Sequence, residues 1–262
     1  MNSLLDRRGV MMGGKKDYII FADPEVERIC ATTWGDGVGL TKAEAAAVTN
    51  NSFGYTFQGN TDITSFDEFK YFTGVTQLNG SNRTTGAFAA CSNLTSIVLP
   101  SSLATIRGYA FSDCTSLAEI TIPRNTLTTY SAAFIGCTNV SKVNIPSVNA
   151  WLNYNLPNLS SMPFGESTAA SRGLYINGSL VTSITLPTSI TKIRDYEFYK
   201  INTITSITIP STITSIGKSA FENCSGLTSI NVPSSVGSIG QSAFKMCRGI
   251  VNATFNRNTS RS

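Results

Sequence analysis

Cysteine, carboxylate and glycine are the residues that could carry chemistry here, because the 262-residue sequence contains no histidine. That removes the commonest general base, the commonest zinc ligand and any imidazole pH switch. Of six cysteines, five (Cys91, Cys114, Cys137, Cys224 and Cys247) each follow a phenylalanine by three positions. A thiol recurring at one position of a repeat behaves as a small core hydrophobe. These five are therefore expected to be buried, free and slow to react, and Cys30 to lie inside a helix. No C-x-x-C pair occurs, so no metal site is expected. The glycine-rich run from Trp34 to Gly39, tested as a calcium loop with Gly37 sixth, puts Thr32 and Ala43 where carboxylates are required. It reads instead as a turn into a helix, and it lacks the G-K-[ST] of a phosphate cradle. Asp67 and Glu68 fall at an expected helix start. Asp113, Glu119, Asp195, Glu197 and Glu222 are scattered over different repeats, so no glycosidase-type carboxylate pair is assigned. Neither an enzymatic activity nor a cofactor is expected.

The elements that carry these residues repeat. Pro100, Pro123 and Pro146 stand 23 apart, as do Pro187, Pro210 and Pro233. Between the two sets the gap is 41, one repeat plus an insertion of 18. Phe88, Phe111 and Phe134 keep the same step, and so do Phe198, Phe221 and Phe244. Ahead of each proline runs L-x-x-L-x-L, as in Leu94, Ile97, Leu99 or Ile204, Ile207, Ile209, with a degenerate last copy at Ile250, Ala253, Phe255. This is the leucine-rich-repeat signature, a short strand with alternate side chains pointing inward. Proline ends the strand because it has no N–H for the ladder. One such turn cannot bury its own apolar face, so successive turns must stack. The expected fold is a repeat solenoid, mainly β with short turns and helical segments on the convex side, plus a small helical N-terminal cap. The expected organisation is a basic arm over 1–16, a helical cap over 17–75, the solenoid over 76–255 with a longer coil at about 147–180, and a polar tail over 256–262.

Within the cap, Asp23-Pro24 reads as the N-cap and first position of a helix through Cys30. Thr41 to Glu44 is a capping box opening a helix to about Val48, and Ser65 to Glu68 reads as a second one. The C-terminal end shows no capping helix, and an open sheet edge there invites another chain.

The repeats, typified by "SAFENCSGLTSINVPSSVGSIG" from Ser219 to Gly240, resemble the BspA-like leucine-rich repeats over roughly residues 60–255. That family is common in surface proteins of gut and oral bacteria and in proteins of their phages. The longer coil, with "WLNYN" at Trp151 and "GLYINGSLVTSITLP" from Gly173, resembles a recurring variant of it. Ile201 departs from the pattern, standing where cysteine is expected. The run "DYIIFADPEVERICATTWGDGVGLTKAEAAAVT" resembles N-terminal segments of repeat proteins encoded by phages and prophages of gut Bacteroidetes, and the "SLLDRR" start is similar too.

Function is read from the surface. Apolar residues make up 41% of the chain and charged ones 14%, below the ~25% usual for soluble domains. A net charge of +4 is too small to indicate nucleic acid. No apolar run reaches the ~18 residues of a membrane span. Arg7, Arg8, Lys15 and Lys16 interrupt the first residues, which do not form a secretory signal, so the chain is expected to reach its destination without one. Outward strand positions, among them Thr95, Ser96, Lys142, Asn144, Thr205, Thr208, Thr228 and Asn231, are expected to form a hydroxyl-rich face, either simply solvated or binding a glycan or host-surface protein. Trp151, Tyr154, Phe164 and Tyr175 are expected mostly to pack the longer coil down, an exposed one being a contact candidate. Arg7, Arg8, Met11, Met12, Lys15 and Lys16 are the candidate anchor to a partner protein. The expectation is a phage virion component, a head or tail appendage at the virion surface presenting its repeats for attachment. A bacterial cell-surface adhesin is the alternative, and oligomerisation stays open.

Overall fold

The computed structural model describes residues 16–256, and its core follows from the repeat. Ser65–Phe66, Ser96–Val98, Glu119–Thr121, Lys142–Asn144 and Gly173–Ile176 pair in parallel, in that order, as rungs of one concave sheet. Register places Phe66, Ile97, Ile120, Val143 and Leu174 in one column, and all five are buried. Burying such a side chain contributes about 1.5–3 kcal/mol. Opposite this column the phenylalanines stack: Phe111 lies 5.2 Å from both Phe88 and Phe134 with nearly parallel rings. Phe198, Phe221 and Phe244 form a second stack at 5.3 Å. From Phe111 onward each convex turn holds its phenylalanine between two residues of positive φ, such as Tyr109 (64°) and Asp113 (56°), or Ser219 (51°) and Asn223 (64°).

The cap helices form where their signals stand. Asp23 caps Pro24–Thr33 through Glu25 and Val26 N–H, and Thr41 with Glu44 makes a full capping box on Lys42–Ala47. The same Asp23 carboxylate accepts bonds from Thr64 N–H (2.6 Å), the Thr64 hydroxyl (2.8 Å) and Ser65 N–H, tying the first helix to the first rung. Trp34 stacks on Phe53, and Phe57, Phe69 and Phe72 complete an aromatic plug against Phe88.

Two expectations need correction. Ser65 does not open a capped helix: Ser65–Phe66 is a strand, and the 3-10 turn Asp67–Tyr71 behind it has no side-chain cap. Ladder pairing with Ser96 and Ile97 outweighs local capping there. The rungs consequently begin inside the segment read as the cap. The outward strand face is also not one continuous sheet. The chain pairs Gly173–Ile176 with the preceding rung, reverses at Asn177-Gly178 and returns as the antiparallel strand Ser179–Leu180. Both turn residues have positive φ (50° and 77°), the geometry of a two-residue hairpin loop, for which Asn-Gly is well suited. Beyond this hairpin a separate ladder starts, Ser183–Thr185 with Ser206–Thr208, followed by Ser229–Val232 with Asn252–Phe255.

A second strand row breaks at the same place. Gln77–Leu78, Thr105–Ile106 and Thr128–Thr129 are followed by a single bridge to Asn155, and a new row begins at Lys192–Ile193. Side chains replace backbone pairing across this seam. Arg194 donates to the Tyr154 carbonyl (2.6 Å) and to both oxygens of buried Glu197 (2.6 and 2.7 Å). Trp151 Nε1 donates to the Glu197 carbonyl (2.8 Å), and Lys200 Nζ donates to the Gly165 and Ser167 carbonyls. Arg172 Nε reaches back to the Lys200 carbonyl (2.9 Å).

Candidate functional site

The described cysteines divide as their burial dictates. Each repeat thiol donates to the carbonyl of the phenylalanine one coil earlier, as Cys114 does to Phe88, Cys137 to Phe111 and Cys224 to Phe198, all at 3.0 Å. Burial raises the thiol pKa of Cys30, Cys91, Cys114 and Cys224 well above the ordinary value, while half-buried Cys247 is pushed up only to about 11. A protonated, enclosed thiol is a poor nucleophile and a poor metal ligand. Asp36 in the glycine-rich turn accepts from Val38 and Gly39 N–H, Tyr18 Oη and Lys16 Nζ, which hold its carboxyl well below the usual range. Its oxygens serve the turn.

The outward face remains, and its residues differ in what they leave free. The hydroxyls of Thr95, Thr205 and Thr228 donate to carbonyls of the preceding coil, Thr64 (2.7 Å), Thr182 (3.0 Å) and Thr205 (3.1 Å). They hold neighbouring coils in register. Ser96 Oγ lies 3.2 Å from Asp67 Oδ1, and Asn231 Oδ1 accepts from Asn256. Thr208 is exposed on the second ladder. There the outward positions, Ser183 and Ser206 in one row and Thr185 and Thr208 in the next, carry no charge, and neither do Ser229 and Asn231 on the two-stranded sheet that follows.

Lys142 and Asn144 are placed differently, in a groove of about 510 Å³ where the first ladder meets the hairpin. Lys142 Nζ pairs with a Glu119 carboxylate oxygen at 2.8 Å and lies 5.0 Å from the centre of the Tyr175 ring. Asn144 Nδ2 donates to Glu119 Oε1 (2.6 Å) and Thr121 Oγ1 (3.0 Å). Pro123 and Pro146 flank the groove and the Asn177-Gly178 turn closes one side. Sequence reasoning missed Glu119 and Thr121 as partners of this pair. Their common register at the one-repeat spacing was the available signal. Of the insertion's aromatics, Trp151, Tyr154 and Phe164 are fully buried and Tyr175 is half exposed beside the groove.

Of the expected anchor, Arg7, Arg8, Met11, Met12 and Lys15 lie outside the described residues. Lys16 is bound within the chain, 2.7 Å from Asp36 and 3.7 Å from Glu44. Among the described residues, no helix is long and apolar enough to cross a membrane.

The model of the BspA type leucine rich repeat region matches residues 81–170 and 168–261. Comparison with curated proteins gives no match. Among solved structures, a leucine-rich repeat protein from Bacteroides ovatus is 22% identical, with a TM-score of 0.39 over 70% of this chain and 47% of that one. A leucine rich cell surface protein from Faecalibacterium prausnitzii is 23% identical, with a TM-score of 0.34 over 63% of this chain and 40% of its own. One from Eubacterium ventriosum is 19% identical, with a TM-score of 0.39, covering 71% of this chain and 59% of that one. The chain thus spans less than two thirds of each. Matched by the family model over most of its length, and built of the stacked coils that this repeat prescribes, the chain belongs to the BspA type leucine-rich repeat family.

Proposed function

We propose that this chain is a non-enzymatic attachment protein that presents its concave face to a host surface, a glycan or a partner protein. The observation that carries the reading is the Glu119–Lys142–Asn144 groove. Its polar groups are held on internal rungs of a rigid ladder, beside an aromatic ring and a fixed hairpin wall. Sites built on strands keep their geometry without a closing step.

The placement we favour is a phage virion, as a head or tail appendage. Its support is the resemblance of the segment around "DYIIFADPEVERICATTWGDGVG" to the N-terminal parts of phage-encoded repeat proteins. In this placement Arg7, Arg8, Met11, Met12 and Lys15 anchor the chain on a neighbouring virion protein, through basic contacts and adaptable apolar ones, while Lys16 stays on Asp36. A bacterial cell-surface adhesin is the second reading, favoured by membership of a repeat family common in such proteins. Particle assembly with the full chain, compared with a chain starting at Asp17, tests the first reading. Incorporation that depends on the arm supports it. Full incorporation of the shortened chain removes the anchor, and labelling confined to the envelope of uninfected cells moves the protein to the second reading.

A further inference from the structure

We infer that the groove over the Glu119–Thr121 and Lys142–Asn144 rungs is a binding site for a neutral oligosaccharide. The inference rests on the attachment reading and names what this part of the face would hold.

Charge narrows the ligand first. Glu119 and Lys142 are the charged side chains that line the groove, and they face each other at 2.8 Å. The lining is therefore neutral as a whole. An anion approaching Lys142 meets the Glu119 carboxylate beside it, and a cation approaching Glu119 meets the Lys142 ammonium. Each ligand charge is thus opposed by one of its own sign at the same spot, and the attraction left to it is that of a partly exposed pair, which is small. A neutral ligand leaves the pair intact.

Bonding capacity narrows it further. Both amide hydrogens of Asn144 are engaged, by Glu119 and Thr121, so the amide oxygen of Asn144 is left as an acceptor fixed in orientation. An ammonium has three donors, and one of those on Lys142 is on Glu119. The groove therefore offers donors and acceptors side by side, at atoms the network already orients. Hydroxyl groups, which donate and accept at once, match such a mixture. The flanks add the second half of a sugar's chemistry. Pro123 and Pro146 are exposed apolar surfaces of the lining, and the half-buried Tyr175 ring, in register with Asn144, stands next to the groove with Lys142 Nζ 5.0 Å from its centre. A pyranose presents an apolar C–H face and a hydroxyl edge, and the groove has a counterpart for each. At about 510 Å³ it falls within the range of ~300–1,000 Å³ usual for small-ligand sites.

Geometry disfavours a peptide. Recognition of an extended peptide by a sheet uses an unpaired strand edge. The Glu119–Thr121 and Lys142–Asn144 strands are both paired on each side, so neither offers one.

The test applies the full chain to an immobilised panel of neutral gluco-, galacto-, manno- and N-acetylhexosamine-terminated oligosaccharides, with sialylated and sulfated counterparts beside them. We expect at least one neutral glycan to bind, and Asn144→Ala and Tyr175→Ala each to weaken it about tenfold, which is about 1.4 kcal/mol. Gln241→Ala, exposed in a turn outside the strand face, should leave binding unchanged. Unaltered thermal melting of the two groove variants certifies that the fold is kept. Three results overturn the inference: no neutral glycan bound at millimolar concentration, binding indifferent to both groove variants, or a preference for acidic glycans that salt abolishes. Attachment of the chain to cells or particles is scored separately. If attachment persists and no neutral sugar binds, the oligosaccharide site falls while the attachment reading stands. If sugar binds at the groove and no surface is recognised, the reverse holds.

Discussion

Replacing Arg194 with alanine should divide the protein's unfolding in two. The Glu197 side chain is only 2% exposed, and Arg194 donates to both of its oxygens. Burial pushes the Glu197 carboxyl up, and the Arg194 hydrogen bonds and charge pull it part of the way back. Removing Arg194 leaves a buried carboxylate without its counter-charge, a loss of about 3–5 kcal/mol at neutral pH. It also frees the Tyr154 carbonyl at the point where the second strand row has no rung of its own. In a repeat protein the stability is a sum of coils and the interfaces between them, so weakening one interface lets its two sides melt separately. The sign of the pH effect follows from the direction of the shift. A carboxyl raised in the folded state contributes stability that is fully present below its ordinary value of 4.5 and is lost as pH rises through the folded value. The variant raises Glu197 further, so its deficit relative to the parent should be largest at pH 7 and shrink towards pH 4. Scanning calorimetry at both pH values reads this directly, as one transition becoming two at pH 7. The double variant Arg194→Ala with Glu197→Gln should recover part of the loss at pH 7. A single cooperative transition with a loss under about 1 kcal/mol, the same at both pH values, would show that the seam does not depend on this pair.

Phe111→Ala should cost about 3–5 kcal/mol in chemical denaturation, because Phe111 is fully buried between two parallel rings. Phe244→Ala, on the half-buried last coil, should cost less than half as much. Asp23→Ala removes a helix cap and orphans Thr64 N–H, for about 2 kcal/mol or more by the same assay. Burial pushes the Asp23 carboxyl up, but the Thr64, Val26 and Ser65 bonds outweigh it and hold it below 3.8. Its contribution is therefore present above that pH and lost as pH falls through the folded value, so the variant should show a smaller acid-induced loss of stability than the parent. Native labelling with a thiol reagent at pH 8 should modify Cys247 first, and rapid labelling of Cys114 or Cys224 would show that the core assignment is wrong.

The stacked coils were legible in the sequence because one short spacing fixes rung, phenylalanine and thiol together. The first coil was not, because its connection is longer. Cys91 reaches back 34 residues to the Phe57 carbonyl, against 26 for Cys114 to Phe88, so Phe57 falls out of step with the later phenylalanines. Ser65 was misread for a related reason: a Ser-x-x-Glu pattern is a local signal, and the rung that claims it comes from a distant part of the chain. Asn177-Gly178 is a local hairpin signal that the sequence reading passed over, and its effect on the face depends on where Ser183–Thr185 lands, which no local pattern states. Arg172, Arg194 and Lys200 carry no motif at all. Apart from the Glu197 carboxylate on Arg194, their partners are backbone carbonyls, and a carbonyl left without a rung leaves no mark in residue types.

The charge-free outward rows of the second ladder also set how that half meets other molecules. Ionic strength acts on contacts through charges, over a screening distance of about 8 Å in physiological salt. A ligand docking on Ser183, Ser206, Thr185 and Thr208 meets no fixed charge in those rows and gains no long-range steering from them. Its association rate is then that of an unsteered encounter, about 10⁵–10⁶ M⁻¹s⁻¹, and changes little between fresh water and brine. In the first ladder the part-buried Glu119 and Lys142 neutralise each other at 2.8 Å, so salt acts there on the strength of the pair and gives a neutral ligand no steering either.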